Sequence, residues 1–359
     1  MKRKVLGIVL TMATVMSMFA GCGSNAGRTD VAQTGTATEA AAPEKTTDGN
    51  VYKVGIVQYV DDASLNQIES AIEKELDAKA EELGVTFDYA DYTFNGQADS
   101  TTLNQIATEL VADNVDVIIP IATPAAMIMQ AATEDNQIPV VFSAVSDPVG
   151  AGLVDSLDAP GSNITGTSDA LNTQAVMDLM FAADEDIKKV GILYDKSQDS
   201  SKTPVEDAIA YCTDKGVEVI EKTGTTNDEI SLAADALVAA GVDAVFTPTD
   251  NTVMTAELAI YEKFTDAKIP HYAGADSFAL NGAFLGYGVN YEELGTKTAD
   301  MAAEVLVNGK KPAEFAVELL DNGIATVNTD TAAAIGLDYS KFSGMCEAVK
   351  ETVTNEEFE

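Results

Sequence analysis

The side chains able to do chemistry in this chain form short polar clusters where apolar runs give out. Gln58 closes the run that starts at Tyr52, and Thr123 follows Val115–Ala122 and precedes Pro124. Ser143, Ala144, Ser146 and Asp147 follow another apolar run and end at Pro148. Further along come Ser168 with Asp169, a stretch from Asp195 to Ser201 that contains Ser200, then Thr249-Asp250-Asn251, Asp276-Ser277 and Tyr287. Ser, Thr, Asp and Asn at such places are ordinary helix caps. Their recurrence after successive apolar runs points further. Helix starts carrying hydroxyls suit a carboxylate, and Asp250 or Asp276 suits an ammonium. A cleft holding both gives an amino acid opposite partners for its two charges. Tyr59, Phe142 and Tyr287 serve either as its aromatic wall or as core.

Catalysis is poorly provided for. The single histidine, His271, sits beside Pro270 at a strand start, where a structural role is expected. No Gly-x-Ser-x-Gly elbow precedes a helix, and no His-Glu-x-x-His or paired Cys-x-x-Cys spacing appears. The first strand–helix turn lacks a phosphate-cradling glycine loop, and Asp61-Asp62 reads as solvated charge. The chain is therefore read as a binding protein without cofactor or metal, with an enzyme as the rival class. Cys212 and Cys346 are too few for a disulfide framework and are read as buried free thiols rather than a pair.

These clusters need a scaffold, and the sequence supplies it twice. From Val51, β-like and helical segments alternate: Tyr52–Tyr59, Leu65–Leu83, Phe87–Tyr92, Thr101–Ala112, Val115–Ala122 and Pro139–Val145. The series restarts at Lys188, with a helix expected from Pro204. Lys53-Val-Gly-Ile returns as Lys189-Val-Gly-Ile 136 positions on, Leu83-Gly-Val as Lys215-Gly-Val after 132, and Val115-Asp-Val as Val242-Asp-Ala after 127. Such a near-constant offset implies an α/β fold of two doubly wound parallel-sheet lobes. Ligands bind beyond the carboxyl ends of such strands, so facing lobes make an inter-lobe cleft lined by the polar clusters.

The start of the chain is of another kind. Lys2, Arg3 and Lys4 precede an apolar run from Val5 to Phe19, then Ala20-Gly21-Cys22. This is a secretory signal pattern, and its Phe-Ala-Gly-Cys ending resembles a bacterial lipobox, which implies cleavage after residue 21 and lipidation of Cys22. Residues 22–50, small and polar, read as a flexible linker. The net charge is −37, and three units more negative once the basic start is removed. Nucleic acid and anionic membrane surfaces are poor partners for such a chain.

Phe142-Ser-Ala-Val-Ser-Asp-Pro-Val149, Asn163-Ile-Thr-Gly-Thr-Ser168, Pro248-Thr-Asp-Asn-Thr252 and Tyr287-Gly-Val-Asn-Tyr291 occur in that order. In these motifs the chain resembles the ABC-transporter substrate-binding proteins of the tryptophan/tyrosine type, from about Val51 to Tyr339. The resemblance implies a type I periplasmic-binding-protein-like fold with crossover strands and a hinge. It also implies delivery of a small ligand, often an aromatic amino acid, to an ABC permease in the membrane. Gln58, Thr123, Ser143 to Asp147, Ser168-Asp169, Thr249 to Asn251 and Asp276 carry over as cleft-lining.

The expected organisation is lobe one at 51–166 plus 283–312, lobe two at 167–282 plus 313–345, and a frayed acidic tail at 346–359. Gly161–Gly166 and Asn281-Gly282 are candidate hinges. The expected protein is a monomeric, lipid-anchored receptor outside the cytoplasm that captures an aromatic amino acid by lobe closure. A sugar, a nucleoside or a sensing role remains the alternative.

Overall fold

The internal repeat becomes two sheets of like strand order. The computed structural model describes residues 51–320, 323–355 and 357, so the signal segment, Cys22 and the linker lie outside the described residues. The first series is β1 (Val51–Gln58), α1 (Ala63–Leu83), β2 (Thr86–Asp88), β3 (Thr93–Asn95), α2 (Ser100–Ala112), β4 (Val117–Ile121), α3 (Thr123–Thr133), β5 (Val140–Phe142) and β6 (Ile164–Ser168). The second is α4 (Thr173–Ala183), β7 (Lys189–Tyr194), α5 (Asp199–Lys215), β8 (Glu218–Thr223), α6 (Asn227–Ala240), β9 (Ala244–Thr247), α7 (Asn251–Asp266), β10 (His271–Ala273), α8 (Asp276–Leu280) and β11 (Leu285–Gly288). Then follow α9 (Tyr291–Val307), β12 (Glu318–Leu319), β13 (Ile324–Asn328), α10 (Thr329–Ile335) and β14 (Ala348–Thr352).

One sheet is ordered β2-β1-β4-β5-β6-β12, with β3 also paired to β1; the other is β8-β7-β9-β10-β11-β13-β14. All pairings are parallel except β11 with β13. Strand order out from β1 and out from β7 is the same, which is the doubly wound α/β plan. β4 is buried along its whole length, as a strand covered on both faces must be. The two Gly-Val matches are helix ends: Gly84 and Gly216 both adopt the left-handed conformation at the ends of α1 and α5, at φ 66° and 72°.

Several expectations need correction. The strand expected over Phe87–Tyr92 is two short ones, because Tyr92 turns back to donate its N–H to the Tyr89 carbonyl. α5 begins at Asp199, with Pro204 inside it and not at its start. β11, assigned to lobe one by the sequence, pairs with β10 and β13 in the second sheet. β12 pairs with β6 in the first sheet, although residues from 313 were expected in lobe two. The acidic tail contains β14, tied to β13 along five register positions from Ile324↔Ala348 to Asn328↔Thr352. The chain therefore passes between sheets after β6, between β11 and α9, and between β12 and β13. Neither expected hinge lies at these crossings: Gly161 is in a turn bonded to the Ala313 carbonyl, Gly166 is within β6, and Gly282 follows α8.

α9 returns to the first lobe and packs against α1 and against β4, β5 and β6. Gly295 permits the close approach, since a Cβ there would lie 2.5 Å from the Ile68 carbonyl oxygen and 2.8 Å from Ala71 Cβ. A hydroxyl cluster fixes the other face of α9. Thr298 Oγ1 lies 2.8 Å from both Ser143 Oγ and Thr167 Oγ1. Gly295→Val should cost about 1–3 kcal/mol by overpacking, and thermal unfolding should show a midpoint several degrees lower, at roughly 2–4 °C per kcal/mol. An unchanged midpoint would contradict that packing.

Candidate functional site

The loops after the strands of both sheets meet at one small cavity. It is lined from the first lobe by the starts of α1 (Ser64, Leu65), α3 (Ala122, Thr123) and α9 (Tyr291), and by Ala144 and Ser146 after β5. The second lobe contributes Ser200 of α5, Thr249, Asn251 and Met254 around the start of α7, and Ala275 before α8. Asp169, just past the first crossing, completes the wall. Its volume is about 20 Å³, little more than the ~10–15 Å³ that one water needs. The lobes are shut upon each other.

Four of the helix starts here are finished in two different ways. Asp62 caps α1, its Oδ1 accepting from the Ser64 N–H at 2.9 Å and the Leu65 N–H at 3.4 Å. Asp250 caps α7 in the same manner, from Thr252 at 3.1 Å and Val253 at 3.0 Å. α3 and α5 have no side-chain cap. At α3 the cap position is Ala122, held at φ 79°, and Thr123 lies one residue inside the helix, correcting the expectation that Thr123 caps it. Its hydroxyl is thereby left to the cavity. At α5 the cap position is Gln198, whose side chain is engaged elsewhere, its Oε1 accepting from Asn251 Nδ2 at 3.1 Å. Ser200 is 2% exposed and its Oγ has no hydrogen-bond partner among the described residues. Within the repeat-related pairs each lobe thus has one capped and one uncapped helix facing the cavity; of the other two starts there, α9 is capped by Asn290, and α8, without a cap of its own, has its Ser277 N–H met by Ser64 Oγ.

The cavity's one acidic side chain is Asp169. Its Oδ1 accepts from Ser146 Oγ at 3.0 Å, and no other side chain among the described residues binds it. Burial pushes its carboxyl up to about 6, with the Ser146 hydroxyl pulling the other way. Leu65, Met254 and Tyr291 give the cavity apolar and aromatic surface. Burial holds the Tyr291 phenol well above its usual range, and the carboxylates of Asp169, Asp276 and Asp62 add to the effect.

Thr123, Ala144, Ser146, Asp169, Ser200, Thr249 and Asn251 thus come together as the sequence pointed to them. Others do not reach the cavity. Gln58 Nε2 is spent on the Val60 carbonyl and Asn66 Oδ1, holding the loop before α1. Ser143 belongs to the hydroxyl cluster under α9, and the Ser168 hydroxyl turns to the Ser146 carbonyl. Asp147 closes its own turn through the Gly150 N–H and meets Thr203 Oγ1 of the second lobe at the rim. Tyr287 lines a second cavity with Leu171, Val289 and Gly323, close to the crossings, and Asp169 is common to both cavities.

The two proposed ammonium partners need correction. Asp250 is fully buried, and its second oxygen accepts from the Asp195 N–H at 2.8 Å and Ser201 Oγ at 2.6 Å, so both oxygens are taken. Asp276 is held by Ser64 Oγ and Gln67 Nε2 and faces an outer groove. Ser64, Leu65, Ala122, Met254, Ala275 and Tyr291 were missed. Asp62, expected as solvated charge, is instead the buried cap of α1, with Ser64 two residues on; Tyr291 ends a motif already singled out, so it carried a signal. His271 is structural: its ring nitrogens meet Glu257 Oε1 at 3.0 Å and Thr247 Oγ1 at 2.8 Å, bracing the strand that leads to Thr249–Asn251. Cys212 and Cys346 are free thiols.

A family model described as ABC transporter substrate binding protein matches residues 53–342. The tyrosine-binding protein of Clostridioides difficile (strain R20291) is 33% identical over 344 residues, covering 95% of this chain and 94% of that protein. An ABC domain from Streptococcus pneumonia solved in complex with L-Trp is 30% identical, with a TM-score of 0.76 over 83% of this chain and 99% of its own. The ligand-free, open structure of a substrate-binding protein with adhesive properties from Clostridium difficile is 32% identical, with a TM-score of 0.65 over 85% and 100%. Among the described residues, no helix is long and apolar enough to cross a membrane.

The saturation of Asp250 makes it a stability residue. Asp250→Ala removes a cap, worth ~1 kcal/mol, and strands the buried Ser201 hydroxyl and Asp195 N–H, at about 1–3 kcal/mol each. Thermal unfolding should show a drop of several degrees, and a wild-type midpoint would refute this reading.

Proposed function

This chain belongs to the ABC transporter substrate-binding protein family, and from that premise we propose that it captures an aromatic amino acid by closing two lobes around it. The observation that carries the reading is the pair of uncapped helix starts, α3 from one lobe and α5 from the other, with Thr123 and the unpartnered Ser200 hydroxyl at the cavity. A ligand carboxylate placed there completes both helix ends at once. It can do so only when the lobes are together, so binding and closure are one event.

Asp169 takes the ammonium, in place of Asp250 and Asp276. Leu65, Met254 and Tyr291 take the ring, through apolar contact, the polarisable Met sulfur and aromatic packing. The tyrosine-binding relative and the L-Trp complex support the ligand class. The greater likeness to the L-Trp complex than to the open, ligand-free relative, at nearly equal identity, supports reading this conformation as closed. The small cavity agrees: the lobes must part to admit a ligand.

Substrate-binding proteins of ABC transporters work outside the cytoplasm. The signal pattern and Cys22 support anchoring of this one by lipid, with residues 22–50 as tether and a membrane permease as the recipient.

Titration calorimetry with L-Trp, L-Tyr and L-Phe should show binding by at least one of them, with none by glucose or adenosine. Asp169→Ala should weaken it about 100-fold or more, since breaking a buried ion pair costs ~3–5 kcal/mol and 1.4 kcal/mol is tenfold. The Asp169 carboxyl sits at about 6, and an ammonium needs it ionised, so affinity should fall as pH drops below that value. Wild-type affinity in Asp169→Ala would overturn the assignment.

A further inference from the structure

Behind the ligand cavity the lobes also meet through a pair of carboxylates. Asp276 heads α8 in the second lobe, and its Oδ1 accepts from Ser64 Oγ of α1 at 2.5 Å while its Oδ2 accepts from Gln67 Nε2 at 3.2 Å. The Ser277 N–H donates to Ser64 Oγ at 3.1 Å. Asp62, the cap of α1, is buried beside them and shares Ser64 with Asp276: its Oδ1 accepts from the Ser64 N–H at 2.9 Å, while the hydroxyl of the same residue binds Asp276. Tyr291 of α9 presents a neutral ring to both.

The charged surroundings do not neutralise this pair. Lys350 of β14 lowers the Asp276 carboxyl a little, but it is exposed at an outer groove of about 610 Å³. Lys74 and Glu75 of α1, Glu292 of α9, and Glu351 and Glu357 near the C-terminus line the same groove, and carboxylates outnumber lysines there. On the inner side lies Asp169, also against Tyr291. Among the described residues no Lys or Arg is buried. Closure therefore brings two desolvated carboxyls from opposite lobes together without a buried counter-ion.

We propose that lobe closure is proton-assisted, the closed form holding on the Asp62–Asp276 pair a proton that the open form releases to water. A shared proton replaces repulsion between two carboxylates by a single charge spread over a hydrogen-bonded layer, and opening returns both groups to water. Burial raises both carboxyls from their ordinary range, Asp62 to about 7, with the Asp276 charge contributing to the rise at Asp62. The proton belongs to the pair rather than to either residue. Because the closed form holds the raised value, closure is favoured as pH falls and loses this support as pH rises through about 7. The inference rests on the opening and closing of the lobes and not on which ligand is captured.

Calorimetry of L-Tyr binding at pH 7.5, in buffers of different ionisation enthalpy, counts protons taken up on ligand-driven closure. At that pH Asp169 is already ionised. Wild type should take up a sizeable fraction of one proton per ligand, and Asp62→Asn, which keeps the α1 cap, should take up almost none. Asp276→Asn should behave alike and covers a folding failure of the first variant. No uptake by wild type, or the same uptake in both variants, would overturn the proposal.

Small-angle scattering of the ligand-free protein from pH 5.5 to 8.5 separates this from the ligand assignment. The closed-to-open ratio should fall with rising pH by up to about tenfold per unit, as one proton allows. Should L-Tyr not bind, a scattering profile that expands with pH in wild type but not in Asp62→Asn upholds the proton and sinks only the ligand. A pH-invariant profile sinks the proton.

Discussion

The first N–H groups of a helix need an acceptor, and much of this structure follows from how that need is met. A doubly wound lobe delivers the chain from each strand end to a helix start at the same edge. Two lobes facing each other therefore crowd helix starts into one cleft. At α1 and α7 the protein supplies its own acceptor, Asp62 and Asp250. At α3 and α5 it supplies none, and the positions are Ala122 and Gln198. These are equivalent helices of the repeat used in opposite ways. α1 corresponds to α5 and α3 to α7, so within these pairs each lobe keeps one start satisfied and leaves one to be completed from outside. An anion that touches both uncapped starts must be held by both lobes, which makes its charge the link between them.

The same physics explains why the acidic residues of the cleft are not interchangeable. Asp250 is saturated and stabilises the second lobe by tying α7 to the turn after β7 and to α5. Asp276 is bound to α1 and joins the lobes. Asp169, with a single hydroxyl partner, retains capacity for a positive charge. Buried carboxylates with no buried lysine or arginine nearby make the closed form costly unless protons or a ligand ammonium come with it. That cost is what renders closure responsive to solution conditions and to ligand.

The sequence carried the architecture well because repeats and apolar periodicity are local signals. Lys53-Val-Gly-Ile and Lys189-Val-Gly-Ile are indeed equivalent central strands, β1 and β7. It also located the polar segments that follow the strands, so Thr123, Ser146, Ser200 and Asn251 could be named, although it put the start of α5 too late. It could not tell which starts were already capped. Asp250 and Asp169 look alike in the chain, and only the Asp195 N–H and Ser201 hydroxyl, some 50 residues away, distinguish a spent carboxylate from an available one. Strand ownership near the crossings was equally hidden. β11 and β12 are short, and which sheet each joins is decided by pairing partners and not by composition. Leu65 and Met254 look like any core residues of amphipathic helices, so nothing local marked them for the cavity.

The central claim is that a ligand carboxylate finishes α3 and α5 across the cleft. Calorimetric titration with L-tryptophan and with tryptamine, which keeps the ring and the ammonium but lacks the carboxylate, tests it most directly. The account predicts binding of tryptophan and at least about 100-fold weaker binding of tryptamine, as expected for loss of ~3 kcal/mol or more of charge-assisted hydrogen bonds from two helix starts. Equal affinity for the two would contradict it.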